Sequence, residues 1–269
     1  MSAAAAVIVD PEDRDFYIRS MDLLEKAGVP FLVGGAYAFA RYTGMERHTK
    51  DFDLFLRKSD YERAEGAFRA AGYLTELTFA HWLGKAYQED AFVDLIFSAG
   101  NGVSTVDDLW FEHAVRDKVF GVDVGLIPAE EMIWSKGPIM ERERFDGADV
   151  AHLINAVGDK LDWRRLIDRF GEHWRALFAH LVLYGYIYPS ARTKVPPHVI
   201  EELTKRLLTE TKQGNISEKI CYGTLLSRQQ YLNDIDERGY KDARLKPLGN
   251  LSKDDIKRWT AGIAVDGTK

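Results

Sequence analysis

The chain has 269 residues, a net charge of −6 and 29% charged residues, which favours two domains of ordinary soluble composition. No apolar run reaches the roughly 20 residues that cross a bilayer, and no basic segment opens the sequence, so we expect neither a membrane span nor a signal peptide. The single cysteine, Cys221, excludes an internal disulfide or a cysteine metal cluster, which suits a cytoplasmic protein.

Helix and strand patterns alternate over the first 127 residues. The apolar spacing from Pro11 to Ala27, ended by Gly28, predicts a helix, and VPFLVGG after it predicts a buried strand. The remaining elements predicted in this part are, in chain order, a short helix over 36–43, a strand over 51–56, a helix over 58–72 capped by Ser59, strands over 81–88 and 91–97, a helix that starts at Ser104, and a hairpin over 118–127.

From Pro128 onward, helical periodicity dominates the sequence. It covers 129–145, 147–158, 162–188 and 196–212, with a loop predicted by composition over 188–197. We therefore predict an α+β fold, in which a small mixed β-sheet domain with flanking helices over residues 1–127 is followed by an all-helical domain over 128–269.

Two aspartates stand one residue apart in the predicted strand DFDLFL. Residues i and i+2 of a strand point to the same face, so Asp51 and Asp53 present two carboxylates side by side, which is unfavourable without a cation. Asp94, alone among apolar residues in AFVDLIF, is the candidate for a third carboxylate. Hard oxygen ligands of this kind suit Mg²⁺, and a two-metal site of this type places its ions ~3.5–4 Å apart. The alternative for these acids is exposure to water on a surface or edge strand.

Two glycines, Gly34 and Gly35, join the first strand to the short helix. A diglycine at a helix N-terminus lets backbone approach a ligand closely and offers free N–H groups to phosphate oxygens. Standing alone, such a pair is a simple turn; beside the three acids it predicts a phosphate site.

The stretch VGGAYAFARYTGMERHTKDFDLFL, followed by FVDLIF, resembles the nucleotidyltransferases of the polymerase-β-like superfamily. Their signature is a diglycine or Gly-Ser, an Asp-x-Asp pair and a later Asp on an adjacent strand. The fifteen residues between Gly35 and Asp51 are similar to the spacing in small antibiotic and toxin-type members, which also carry an Arg and a Thr before the pair, as Arg47 and Thr49 stand here. The resemblance covers roughly residues 29–97.

This resemblance implies a nucleotidyltransferase catalytic domain over 1–127 and a helical substrate or acceptor domain over 128–269. Asp51, Asp53 and Asp94 would hold two Mg²⁺ ions, and Asp94 would also act as general base. The implied nucleotide-binding residues are Gly34, Gly35, Arg47, Thr49, Lys50 and Lys136. Arg47, Lys50 and Lys136 can equally be ordinary charges, and Gly137-Pro138 interrupts the helix that the family has after its lysine. Asp149 is a weaker match to a downstream family acid.

The predicted function is therefore Mg²⁺-dependent transfer of a nucleoside monophosphate from an NTP to a hydroxyl acceptor, with release of pyrophosphate. The alternative is a nucleotide-binding regulatory or toxin–antitoxin module without transfer activity. Residues 1–158 carry 16 Lys and Arg against 27 Asp and Glu, whereas residues 159–269 carry 20 against 15. This mildly basic part slightly favours an anionic acceptor such as tRNA, but a small molecule or a protein stays open.

Overall fold

The structure is a computed structural model that describes residues 7–262, apart from the side chains of Ile8 and His48. Its contacts divide the chain into two compact units, described here over residues 7–128 with 253–262 and over residues 129–252. A seven-stranded mixed sheet forms the centre of the first unit, and helices dominate the second. The predicted α+β class is therefore confirmed.

The strands of the described residues are β1 (Val7–Ile8), β2 (Leu32–Val33), β3 (Arg47–His48), β4 (Asp51–Phe55), β5 (Leu74–Phe79), β6 (Leu83–Gln88), β7 (Ala91–Ile96), β8 (Val115–Val119), β9 (Val122–Leu126), β10 (Ile220–Cys221) and β11 (Lys241–Asp242). The large sheet has the order β5-β6-β7-β4-β2-β9-β8. Its central pair, β4 and β7, is parallel, while β6 and β2 run antiparallel to their neighbours β7 and β4. Strands β1 with β3 and β10 with β11 form two further parallel pairs.

The α-helices of the described residues are α1 (Pro11–Lys26), α2 (Gly35–Thr43), α3 (Tyr61–Ala70), α4 (Asp108–Glu112), α5 (Ala129–Lys136), α6 (Gly147–Val157), α7 (Trp163–Phe170), α8 (Trp174–Ile187), α9 (Pro197–Gln213), α10 (Gly223–Leu226), α11 (Leu232–Asp236) and α12 (Lys253–Ala261). Among them, no helix combines the length and the apolar character that a bilayer span requires.

The core of the first unit fixes which face of β4 carries the acids. Phe52 is fully buried, its ring stacked on Tyr17 of α1 at 4.8 Å and in edge contact with Tyr37 of α2 at 5.1 Å. Because side chains alternate along a strand, burial of Phe52 under these helices turns Asp51 and Asp53 to the opposite face.

Three features of the first unit differ from what the sequence predicts. Strand β5 lies over 74–79, where no element is predicted; it is an edge strand with Leu74 and Leu77 exposed, so its sequence lacks a buried stripe. The helix predicted from Ser104 begins only at Asp108, because the Asp107 side chain accepts a hydrogen bond from the Leu109 amide at 3.1 Å. Ser59 lies inside a short 3₁₀ turn before α3 rather than capping it.

In the second unit, two predicted helices are shorter than expected. Helix α5 ends at Lys136: the Gly137 amide still donates to the Ile133 carbonyl oxygen at 2.8 Å, but Pro138 has no N–H to continue the pattern. The helix predicted over 162–188 is divided at Gly171, whose φ of +49° lies in the left-handed region. This unit is predicted to be all-helical, whereas the two-residue strands β10 and β11 pair within it.

The division into a catalytic domain over 1–127 and an acceptor domain over 128–269 is a functional prediction and stays one. The last helix of the described residues, α12, belongs to the first unit, where it packs near β5. There His81 Nδ1 lies 3.6 Å from an Asp255 oxygen, and the Trp259 ring lies against Gly100.

Candidate active site

Three carboxylates converge on one face of the sheet. Asp53 on β4 and Asp94 on β7 are direct partners in the parallel register, and Asp51 lies two residues before Asp53 on the same face. One ligand oxygen from each of the three lies within 4.8 Å of the others. Asp94 is buried, whereas Asp51 and Asp53 are partly exposed. The structure thus brings together the three acids that the sequence singles out.

A lysine to which the sequence pattern assigns no role lies beside this cluster. Lys85 on β6 is paired with Asp94 in the antiparallel register, and its Nζ lies 2.6 Å from Asp94 Oδ1. Burial raises the pKa of Asp94, and the charge of Asp51 adds to this, while the charge and hydrogen bond of Lys85 oppose it. A signal for Lys85 exists in the sequence, since a tight turn at Glu89 and Asp90 between the two predicted strands places residue 85 opposite residue 94.

The donor set of this cluster fits a divalent metal such as Mg²⁺. Three carboxylates supply hard oxygen ligands from two adjacent strands, and their separation allows one ion to contact more than one of them. A buried aspartate whose ionisation is opposed by its surroundings gains from a nearby cation. Asp51, Asp53 and Asp94 are therefore the residues that could hold the metal.

Gly35 adjoins the cluster so closely that no other residue fits there. Its φ is +52°, and a Cβ built on its backbone would overlap the Asp53 carboxylate. Gly35 is also the first residue of α2, so its amide belongs to the helical turn whose N–H groups have no acceptor within the helix. The absent side chain lets the Asp53 carboxylate lie against the start of α2, where helix N-termini attract anions.

Gly34 has a different role from the one expected for it. Its amide donates to the carbonyl oxygen of Asp53 at 3.0 Å, so this N–H is committed to holding the glycine turn against β4. A Cβ at Gly34 would overlap the Phe55 ring, which explains the glycine by packing. The expectation that both glycines offer free amides to phosphate is therefore wrong for Gly34.

Thr49 contacts a carboxylate of the cluster. Its hydroxyl donates to the Asp51 carboxylate, and the Asp51 amide donates back to the same hydroxyl at 3.4 Å. Thr49 therefore holds the first aspartate in a defined orientation. A direct contact between Thr49 and a nucleotide stays a prediction.

We expect Thr49→Val to weaken binding of Mn²⁺, used as a probe for Mg²⁺, by about tenfold, because residues that orient a metal ligand typically influence affinity this strongly. Thr49→Ser keeps the hydroxyl and should stay close to wild type. Titration of each protein with Mn²⁺, followed by the electron paramagnetic resonance signal of the free ion, measures the difference. Equal affinities for the valine variant and wild type would show that Thr49 does not position Asp51.

The two basic residues near the aspartate pair occupy different surroundings. The Arg47 guanidinium lies over the Phe39 ring at 4.0 Å from its centroid, which fixes the side chain against α2. Lys50 is exposed, and its carbonyl oxygen accepts a hydrogen bond from the Tyr17 hydroxyl at 3.3 Å. Nucleotide contacts from Arg47 and Lys50 stay predictions.

Lys136 belongs to a charged cluster of the second unit. Its Nζ lies 3.1 Å from an Asp146 oxygen and 2.8 Å from an Asp149 oxygen, and Arg144 pairs with the same Asp146 carboxylate at 2.9 Å. Burial opposes ionisation of Asp146, but hydrogen bonds and charges from Arg144 and Lys136 outweigh burial and lower its pKa. These ion pairs account for Lys136 within its own unit, and a phosphate contact from it stays a prediction.

No family model matches this sequence, and no curated protein matches it. Similar solved structures include an antigenic nucleotidyltransferase-like protein from Paracoccidioides brasiliensis, which is 16% identical over 71% of this chain and 96% of its own, with a TM-score of 0.45. The antibiotic-resistance factor ANT(2'')-Ia is 14% identical over 66% of this chain and 99% of its own, with a TM-score of 0.44. The lincosamide antibiotic adenylyltransferase LnuA is 17% identical over 54% of this chain and 96% of its own, with a TM-score of 0.38. At these identities the similarity assigns no chemistry to the present chain.

Proposed function

We propose that this chain is a Mg²⁺-dependent nucleotidyltransferase that moves a nucleoside monophosphate from an NTP to a hydroxyl acceptor. The observation that carries the proposal is the convergence of the three carboxylates within 4.8 Å beside Gly35. Three like charges in one place are unfavourable for folding alone, whereas hard oxygen donors beside a helix N-terminus suit a metal and a triphosphate.

Each residue of the site would have a separate role in the transfer. Asp51, Asp53 and Asp94 would hold the metal, which when bound stabilises negative charge on the transferring phosphoryl group. Asp94 would accept the proton of the acceptor hydroxyl, whose oxygen then attacks the α-phosphorus. The bond between the α-phosphorus and the oxygen that bridges it to the β-phosphorus breaks, and pyrophosphate leaves with that oxygen. The amide of Gly35 would bind phosphate oxygens.

Positioning and electrostatics supply most of the rate in reactions of this type, so the supporting contacts matter. Thr49 would keep Asp51 oriented, and Arg47 and Lys50 would contact the nucleotide from the segment before β4. Lys136 would be a phosphate partner from the second unit, and residues 128–269 would bind the acceptor in a cytoplasmic enzyme. The acceptor is a hydroxyl on a small molecule, a tRNA or a protein.

The test is incubation of the purified chain with Mg²⁺ and each NTP, beginning with ATP, labelled in separate reactions at the α- and the γ-phosphate. Pools of RNA, protein and small molecules from a cell extract serve as acceptors. We expect the α-label to enter one acceptor pool while the γ-label is released as pyrophosphate. Chelation of Mg²⁺ or the change Asp51→Ala should abolish both signals.

Two outcomes would contradict this proposal. Transfer of equal extent by wild type and Asp51→Ala would mean that the acids do not act in the reaction. Binding of NTP that is independent of divalent metal, without pyrophosphate release from any acceptor pool, would instead favour a regulatory or toxin–antitoxin module that binds nucleotide without transfer.

A further inference from the structure

Lys85 is held at the edge of the acidic cluster by two contacts. Its Nζ lies 2.6 Å from Asp94 Oδ1 and 4.0 Å from the centroid of the Phe92 ring, and 20% of its side chain is exposed. Strand pairing fixes both contacts, because Lys85 faces Asp94 in the register of β6 with β7, and Phe92 lies two residues along β7 on the same face. A positive charge is thus built into the sheet beside the three carboxylates.

This charge affects the cluster in two opposite ways. A carboxylate has two oxygens, so an ammonium group that binds Oδ1 of Asp94 leaves Oδ2 available as a ligand and restricts rotation of the group. The same ammonium group repels any second cation in its neighbourhood and lowers the negative charge that attracts it. One lysine can therefore orient a ligand and limit the affinity for metal at the same time.

We propose that Lys85 is a positioning residue for Asp94 that also weakens the affinity of the cluster for divalent cations. The inference rests on the proposed function, since it treats the three acids as a metal site. It assigns to Lys85 a role beyond folding: the lysine keeps Asp94 oriented before the metal arrives, and it prevents the ion from binding too tightly.

The experiment compares Lys85→Met, which removes the charge at similar length, with Lys85→Arg, which keeps it. Lys118→Met, on the exposed Lys118–Asp123 pair of the β8–β9 hairpin, is the matched control. Mn²⁺ affinity is measured without nucleotide, from the electron paramagnetic resonance signal of the free ion. We expect Lys85→Met to bind Mn²⁺ about tenfold more tightly. One opposite charge beside a carboxylate changes the affinity of that carboxylate for a proton by about tenfold or more, and we expect a similar effect on its affinity for a metal ion. Lys85→Arg and Lys118→Met should stay within about twofold of wild type, a difference too small to reflect loss of such a charge.

A second readout separates this role from a merely structural one. In the presence of a chelator, Lys85→Met leaves the buried Asp94 without its cation, so we expect its melting temperature to fall below that of wild type. Saturating Mn²⁺ should then raise the melting temperature of Lys85→Met more than that of wild type. With Mg²⁺ and NTP, Lys85→Met should also transfer more slowly despite tighter metal binding, and Lys85→Arg should restore the rate.

Mn²⁺ binding by folded Lys85→Met that is equal to or weaker than that of wild type overturns the inference about Lys85. If Asp53→Asn weakens Mn²⁺ binding in the same assay, the metal site and the proposed function survive that result. If neither wild type nor Lys85→Met binds Mn²⁺, both proposals fail together. Should Lys85→Met not fold, Lys85→Gln gives the same comparison with a polar side chain in place of the apolar one.

Discussion

Replacing Asp53 with asparagine should lower nucleotidyl transfer by at least about a thousandfold, equivalent to ~4 kcal/mol of transition-state stabilisation. Asp53 lies at the centre of the cluster, in register with Asp94 and in close contact with Gly35. The amide keeps the shape of the side chain but removes the negative charge that a divalent metal requires. Steady-state transfer rates at saturating Mg²⁺ and NTP measure the loss.

The fold should tolerate this change, because asparagine occupies the same volume and removes one of three neighbouring like charges. We expect the melting temperature of Asp53→Asn in chelator to stay within about 4 °C of wild type, a shift of ~1 kcal/mol or less. Asp123→Asn is the control: it makes the same change on β9 at a side chain that is 79% exposed, and it should leave transfer unchanged. A folded Asp53→Asn protein with wild-type rates would remove the chemical basis of the proposed site.

Gly35→Ala should damage both stability and transfer. The new methyl group would overlap the Asp53 carboxylate, and alanine at a φ of +52° is strained in addition. Either the helix start or the carboxylate must move, and a displacement of ~1 Å in a catalytic group can cost about a hundredfold in rate. We expect that loss of rate, together with about 2–4 kcal/mol of destabilisation measured by urea unfolding.

Gly28→Ala separates the effect of backbone strain from the effect of the overlap with Asp53. Gly28 has a φ of +66°, close to that of Gly35, but among the described residues no heavy atom beyond Gly28 and its chain neighbours lies within 4 Å of a Cβ built there. Its replacement should therefore cost only the backbone strain of about 1–2 kcal/mol and leave transfer intact. If Gly35→Ala lowered stability and transfer no more than Gly28→Ala, the close approach of the glycine turn to Asp53 would contribute to neither.

Local sequence determined which residues share a face. In DFDLFL the alternation of side chains is a property of the extended backbone, so burial of Phe52 is enough to place Asp51 and Asp53 together on the other side. The helix start after the diglycine is equally local, since glycine tolerates the positive φ at Gly35. The helices over 11–26 and 197–213 follow in the same way from their apolar spacing.

Local sequence patterns gave incomplete or wrong predictions where a contact with a distant part of the chain determines the structure. The sequence of β5 has no buried stripe, and only its pairing with β6 makes it a strand. The Gly34 amide was expected to be free, but β4 supplies its acceptor through the Asp53 carbonyl.

The sequence by itself determined that two carboxylates lie side by side on one strand, because the alternation of side chains depends on the extended backbone alone. That the glycine turn lies beside them depends on the pairing of β2 with β4. Only the tertiary structure decided that Asp94 joins them and that Lys85 lies behind it. Both depend on the pairing of β7 with β4 and with β6, and strand order and register result from packing across the whole sheet.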